Sequence, residues 1–99
     1  MEKYNSRTID ELGRFILPNE LRKMQGFGAG DKIALTLADT IVVLHRPDSN
    51  PNCTICKIDE LGMVELPHEL RQKLGWKTKD QIALYYTDNI LILKSAGNG

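Results

Sequence analysis

Three sets of side chains in this 99-residue chain are of types that could do chemistry: the pair in Cys53-Thr54-Ile55-Cys56, the histidines His45 and His68, and the arginines Arg14, Arg22 and Arg71. A Cys-x-x-Cys spacing is half of a zinc site, and a tetrahedral ion needs two more ligands, from His45, His68 or a second chain. The expectation is no metal and no cofactor, only two reduced thiols where a linker ends and a strand begins. Cysteines this close cannot staple a fold, so nothing argues for an oxidising compartment. Neither histidine stands in a pattern with a nucleophile and an orienting carboxylate, which speaks against an enzyme. Guanidinium groups make bidentate contacts with phosphates and guanine edges. Their bland alternative is solvation, or pairing with Glu11, Glu20 and Glu69, the usual fate of surface charge.

The elements that must position these groups come in two copies. Ile9-Asp10-Glu11-Leu12-Gly13 falls on Ile58-Asp59-Glu60-Leu61-Gly62 at a shift of 49 residues. Without a gap the same shift carries Leu17-Pro18 to Leu66-Pro67, Glu20-Leu21-Arg22 to Glu69-Leu70-Arg71, Gly26 to Gly75, and Ile33-Ala34-Leu35 to Ile82-Ala83-Leu84. About half the aligned positions are identical, which marks an internal duplication. The repeats span 6–45 and 55–94, joined by a polar, proline-bearing linker over 46–54 that reads as surface.

Within a unit, Arg7-Thr8-Ile9 and Arg14-Phe15-Ile16-Leu17 are short strand candidates around a tight turn ending at Gly13, which predicts a small hairpin. Pro18 suits the first position of a helix and Gly26 the position after its end, so a helix of about two turns lies between them. Strands follow over Lys32 to Leu37 and Ile41 to Leu44, turning at Asp39-Thr40, with Asp88-Asn89 as the second turn. Ile41-Val42-Val43-Leu44 and Ile90-Leu91-Ile92-Leu93 do not alternate with polar residues, which predicts cover on both faces. One unit of under about 50 residues buries too little surface to stand alone, so each copy is expected to cover the other within one domain, 1–99. Phe27 and Trp76 read as core, and Tyr85-Tyr86, which replace Thr36-Leu37, as a local aromatic surface on the second copy.

Asp-Glu-Leu-Gly-Arg, then Pro-x-Glu-Leu-Arg and a Gly-x-x-x-x-Asp step, resembles the AbrB N-terminal DNA-binding family, over Arg7 to Leu44 and again over Lys57 to Leu93. The resemblance implies a mostly β fold with short helices: two AbrB-like units interleaved as an intramolecular swapped-hairpin β-barrel pseudo-dimer. It also implies a bacterial or archaeal transcription regulator, with MazE-like antitoxins as a smaller branch. The family's DNA-contacting positions fall on Arg7, Arg14, Arg22 and Lys23 in copy one, and on Lys57 and Arg71 in copy two. Copy two carries Met63 where copy one has Arg14, Gln72 for Lys23, and Glu65 for Ile16.

The expected function is therefore sequence-preferring binding of double-stranded DNA, leaning on copy one and reading shape and phosphates, since no long recognition helix is visible. Thirteen Lys and Arg balance thirteen Asp and Glu, so no overall basic charge supports this, and a neutral chain releases few counterions. The alternative is a protein-interaction module descended from such a binder, regulator-binding or antitoxin-like, with a second copy or another regulator as partner. An antitoxin would need a toxin-wrapping tail, whereas the residues after Lys94 are Ser95-Ala96-Gly97-Asn98-Gly99. No apolar run approaches the roughly 20 residues that cross a bilayer, and Met1-Glu2-Lys3-Tyr4-Asn5 does not look like a signal peptide, so a cytoplasmic location without a membrane partner is expected.

Overall fold

A computed structural model describes residues 1–49 and 51–96. Asn50, within the expected linker, and the closing Gly97-Asn98-Gly99 lie outside the described residues. The order of elements is β1 (Glu2–Thr8), β2 (Arg14–Ile16), α1 (Asn19–Gln25), β3 (Lys32–Ala38) and β4 (Ile41–His45), then β5 (Thr54–Lys57), β6 (Met63–Glu65), α2 (His68–Leu74), β7 (Gln81–Tyr86) and β8 (Leu91–Ser95). The protein is mostly β with two short helices, as the sequence suggests. Pro18 and Pro67 cap the helices from outside rather than filling their first positions, and Gly26 and Gly75 close them in the left-handed conformation.

One antiparallel sheet runs β1-β7-β8-β4-β3-β5, and β2 pairs with β6 in a separate two-stranded ribbon. The order reads the same from either end when the copies are exchanged. Among the strand ladders of the described residues, only β3–β4 and β7–β8 lie within a copy; β1 pairs with β7, β5 with β3, β4 with β8 and β2 with β6. The register sets Phe15 opposite Val64 and Val43 opposite Ile92, each residue facing its own counterpart. These two pairs mark the line about which the copies are related.

Three further expectations change. The predicted hairpin of each copy keeps its turn, closed by the N–H of Asp10 on the carbonyl of Arg14 and of Asp59 on that of Met63, with an Ile58–Val64 bridge in copy two, but its strand ladders go to the other copy, β2 to β6 and β1 to β7. The sheet is open rather than a closed barrel, with β1 and β5 as its edges. The central strands are not covered on both faces: Val42, Leu44, Leu91 and Leu93 are fully buried, whereas Val43 and Ile92 between them are half-buried on the outer face. An apolar run at a sheet centre needs only its alternate positions in the core.

The first strand starts earlier than its polar sequence suggests. Glu2 to Tyr4 register with Tyr86 to Leu84, and the Tyr4 and Tyr86 rings meet edge to face at 6.4 Å. The two tyrosines of copy two therefore separate: Tyr86 packs against the core, while Tyr85 lies outward between the ammonium groups of Lys3 and Lys94 at 5.9 and 5.8 Å.

The core takes its side chains from both copies, with Phe15, Leu17, Ile33 and Leu44 from the first and Ile58, Leu66, Ile82 and Leu93 from the second. Phe27 and Trp76 are buried in it. Phe15 lies on the line relating the copies and is wholly buried. We expect Phe15→Ala to cost about 3–5 kcal/mol, a large share of a typical domain's stability. Urea unfolding checks this, and a loss under 1 kcal/mol would mean that the ribbon does not anchor the core.

Candidate nucleic-acid interface

The β2–β6 ribbon and its two turns gather three of the six basic residues that the sequence singles out. Each turn is built on an aspartate. Asp10 accepts the backbone N–H groups of Leu12 and Arg14 on Oδ1 at 3.0 and 2.8 Å, and Asp59 accepts those of Leu61 and Met63 at 2.8 and 2.9 Å. A short carboxylate that bonds its own downstream backbone is what tightens such a turn. The chain then leaves through Gly13 and Gly62, whose carbonyls accept the N–H of Leu66 and of Leu17, both at 2.9 Å. Each turn is thereby fastened to the strand end of the other copy.

Over each turn glycine lies an arginine of the opposite helix. Arg22 donates Nε–H to the carbonyl of Leu17 at 3.0 Å, and its guanidinium covers Gly62, where a Cβ would come within 2.9 Å of a terminal nitrogen. Arg71 repeats this with the carbonyl of Leu66 at 3.0 Å and with Gly13, where a Cβ would come within 2.5 Å of Cζ. Gly13 and Gly62 thus admit both a positive φ, +78° and +82°, and a guanidinium where a side chain would stand. Neither Arg22 nor Arg71 forms an ion pair among the described residues, so the pairing with Glu20 and Glu69 is not what occupies them.

Arg14 is engaged differently. Its Nε–H donates to Asp10 Oδ2 at 2.8 Å, and a terminal nitrogen lies 4.0 Å from Asp59 Oδ2; its partners are the turn aspartates and not Glu11. Partial burial pushes the Asp10 carboxyl up, but the Arg14 backbone N–H, the Arg14 side-chain bond and charge, and the Leu12 N–H together hold it below its ordinary value. The outer face of the ribbon places Arg14 opposite Glu65 and Ile16 opposite Met63. Leu12 and Leu61 stand at the turn tips, 60% and 74% exposed.

The other three basic residues lie elsewhere. Arg7, on edge strand β1, lies 5.5 Å from the centre of the Tyr4 ring, with a buried Nε that has no hydrogen-bond partner. Lys57, on edge strand β5, registers with Lys32 and is exposed, as is Lys23 on α1. The half-buried Cys53 and Cys56 are not joined in a disulfide, and burial, with the charge of Glu65 adding to it, pushes the Cys56 thiol up, away from the thiolate form a metal requires. His45 bonds the hydroxyl of Thr36 at 2.8 Å through Nε2 and the carbonyl of Arg46 at 2.9 Å through Nδ1. Among the described residues no three His, Cys, Asp or Glu side chains are grouped to hold a metal ion. Arg46, which the sequence reading left inside a polar linker, has a fixed place: it stacks on Phe27 and bonds the end of α1. The cue was a basic residue directly after a buried strand.

Among solved structures the chain is similar to the solution structure of PHS018 from Pyrococcus horikoshii, at 24% identity over 93% of this chain and 86% of that one, with a TM-score of 0.57. The likeness is one of fold. No family model matches the chain, and no curated protein does.

The lowered Asp10 carboxyl has a stability consequence. Its contribution is in full force above the ordinary value near 3.8 and is lost as pH falls through the lower folded-state value. Asp10→Asn is therefore expected to be less stable than the natural protein at pH 7, with the difference shrinking as the solution is acidified below about pH 4. Urea midpoints across that range test this; a constant difference would place the role of Asp10 in its shape alone.

Proposed function

We propose that the chain binds double-stranded DNA as an AbrB-type transcription regulator, with the β2–β6 ribbon and its flanking arginines against the phosphate backbone. In this reading the cross-copy pairing is a swapped-hairpin arrangement that one chain completes, and the protein works in the cytoplasm. The observation that carries it is the matched pair Arg22 and Arg71. Each is anchored by Nε on a backbone carbonyl, lies over a turn glycine of the opposite copy, and has no ion-pair partner among the described residues. Guanidiniums held this way lose little freedom on meeting a phosphate. The contact is then shared between the copies, rather than leaning on copy one, because Asp10 and Asp59 already balance Arg14.

Overall neutrality and the acidic Glu11, Glu60 and Glu65 around the turns keep the general attraction to DNA low. Specific shape at the two arginines must supply the affinity. A second reading, a protein-binding face, is favoured by the exposed Leu12, Leu61 and Ile16 on the same surface.

Fluorescence anisotropy against pooled DNA fragments at low and moderate salt separates the two. DNA binding predicts a salt-sensitive complex; no binding at low salt leaves the protein-binding face. Arg22→Ala and Arg71→Ala are each expected to weaken the complex by about 1.5 kcal/mol, roughly tenfold, and to lower the salt slope by about 0.9. Arg14→Ala should weaken it less. Thermal melts of the same variants show whether the fold survives, and unchanged affinity in folded Arg22→Ala and Arg71→Ala would remove the ribbon from the interface.

A further inference from the structure

The charges of this neutral chain are not evenly spread. Lys3, Arg7, Lys32, Lys57 and Lys94 stand on the strands of the large sheet, which hold one carboxylate, Glu2. Glu2 registers with Tyr86 and so belongs to the core-facing side. The other acidic residues lie in turns, loops, helices and the ribbon, with Asp48 coming to 3.7 Å from His45 just past β4. Ribbon and helices close the core side of the sheet, since Phe15, Val64, Leu21 and Leu70 share the core with Leu44 and Leu93. Alternate strand positions face the other way. On that outer face the register lines up Lys3, Tyr85, Ile92, Val43 and Thr36 across β1, β7, β8, β4 and β3. The ammonium groups of Lys3 and Lys94 lie 5.9 and 5.8 Å from the centre of the half-buried Tyr85 ring. At the far edge Lys32 and Lys57 stand directly opposite each other. None of these four lysines forms an ion pair among the described residues. Like charges paired across strands cost stability, so this face is strained by its own charge and a bound polyanion relieves it.

We propose that the outer face of the large sheet binds single-stranded DNA, with a base stacked on Tyr85 and phosphates on the lysines around it and at the β5 edge. A polyanion answers the lysines; unpaired bases answer the ring. Stacking on an aromatic side chain within a cationic surface is how single strands are held without base-pair recognition, because every base has a π-face. A duplex keeps its bases stacked inside and would leave Tyr85 unused. The ammonium groups are held weakly at an exposed ring, so an incoming base displaces one of them onto a neighbouring phosphate. Ile92 and Val43 form a half-buried apolar floor beside the ring. Such a floor suits the methyl group that thymine carries and uracil lacks, which selects DNA over RNA. This face is turned away from the ribbon, and the proposal stands whether or not the ribbon meets duplex DNA.

The test is the anisotropy of labelled oligo(dT) with the full chain, with oligo(U) of equal length and polyglutamate as competitors. Salt-sensitive binding of oligo(dT) is expected, with oligo(U) and polyglutamate each weaker. Tyr85→Ala should weaken oligo(dT) about tenfold, whereas Tyr85→Phe, which keeps the ring, retains the affinity. Lys3→Ala and Lys94→Ala should each lower the salt slope by about 0.7. Binding of a labelled duplex should be the same in Tyr85→Ala as in the natural protein, which separates this face from the ribbon. No binding of oligo(dT) at low salt would overturn the proposal, as would polyglutamate or oligo(U) competing as well as oligo(dT) itself. So would unchanged affinity in a folded Tyr85→Ala protein, or a loss in Tyr85→Phe equal to that in Tyr85→Ala. The lysine variants and the competitors decide the matter should Tyr85→Ala fail to fold.

Discussion

The N–H of Leu17 bonded to the carbonyl of Gly62, and that of Leu66 bonded to the carbonyl of Gly13, are the points at which each half of the chain is fastened to the other. They fix where β2 and β6 meet, and so bring Phe15 against Val64 at the centre of the core. Leaving those carbonyls unpaired beneath a guanidinium would cost about 1–3 kcal/mol each. The glycines are needed because the carbonyl, the positive φ and the arginine head all converge on positions with no room for a Cβ. From this contact follow the turn geometry set by Asp10 and Asp59, the direction of both helices, and the position of the arginines above the turns.

The same contact ties architecture to chemistry. Arg22 and Arg71 are fixed to their own copy through their Nε atoms and lay the rest of the guanidinium over a turn glycine of the other copy, so a scaffold contact and the proposed recognition surface share one side chain. Duplication within a single chain then allows divergence that two identical subunits could not have. Arg14 and Met63 stand at equivalent places on the ribbon, and Arg46 and Ser95 at the helix ends. The first difference leaves the ribbon nearly balanced in charge; the second gives the end of α1 a guanidinium that the end of α2 lacks.

Much of this was legible in the sequence because it depends on local chemistry. The 49-residue repeat, the proline and glycine that bracket each helix, and the turns ending at Gly13 and Gly62 all follow from residue type. What was not legible depends on the partner strand. Glu2 to Asn5 fall before the expected first strand yet become strand because Tyr85 and Tyr86 offer an edge and a ring to pack on. Arg22 and Glu20 look like a surface pair, yet the guanidinium turns to a carbonyl five residues back, over a glycine of the other copy. The alternation of Val42, Val43 and Leu44 between core and outer face was hidden by a run of uniformly apolar residues. Arg46 was lost in a linker because its role is set by Phe27, far back along the chain.

The claim on which the rest stands is that the strands pair across the copies. Two peptides, residues 1–49 and 50–99, test it directly by circular dichroism and NMR, apart and mixed in equal amounts. Neither peptide should fold alone, and the mixture should recover a folded spectrum with contacts between Phe15 and Val64. A half that unfolds cooperatively by itself would contradict the account.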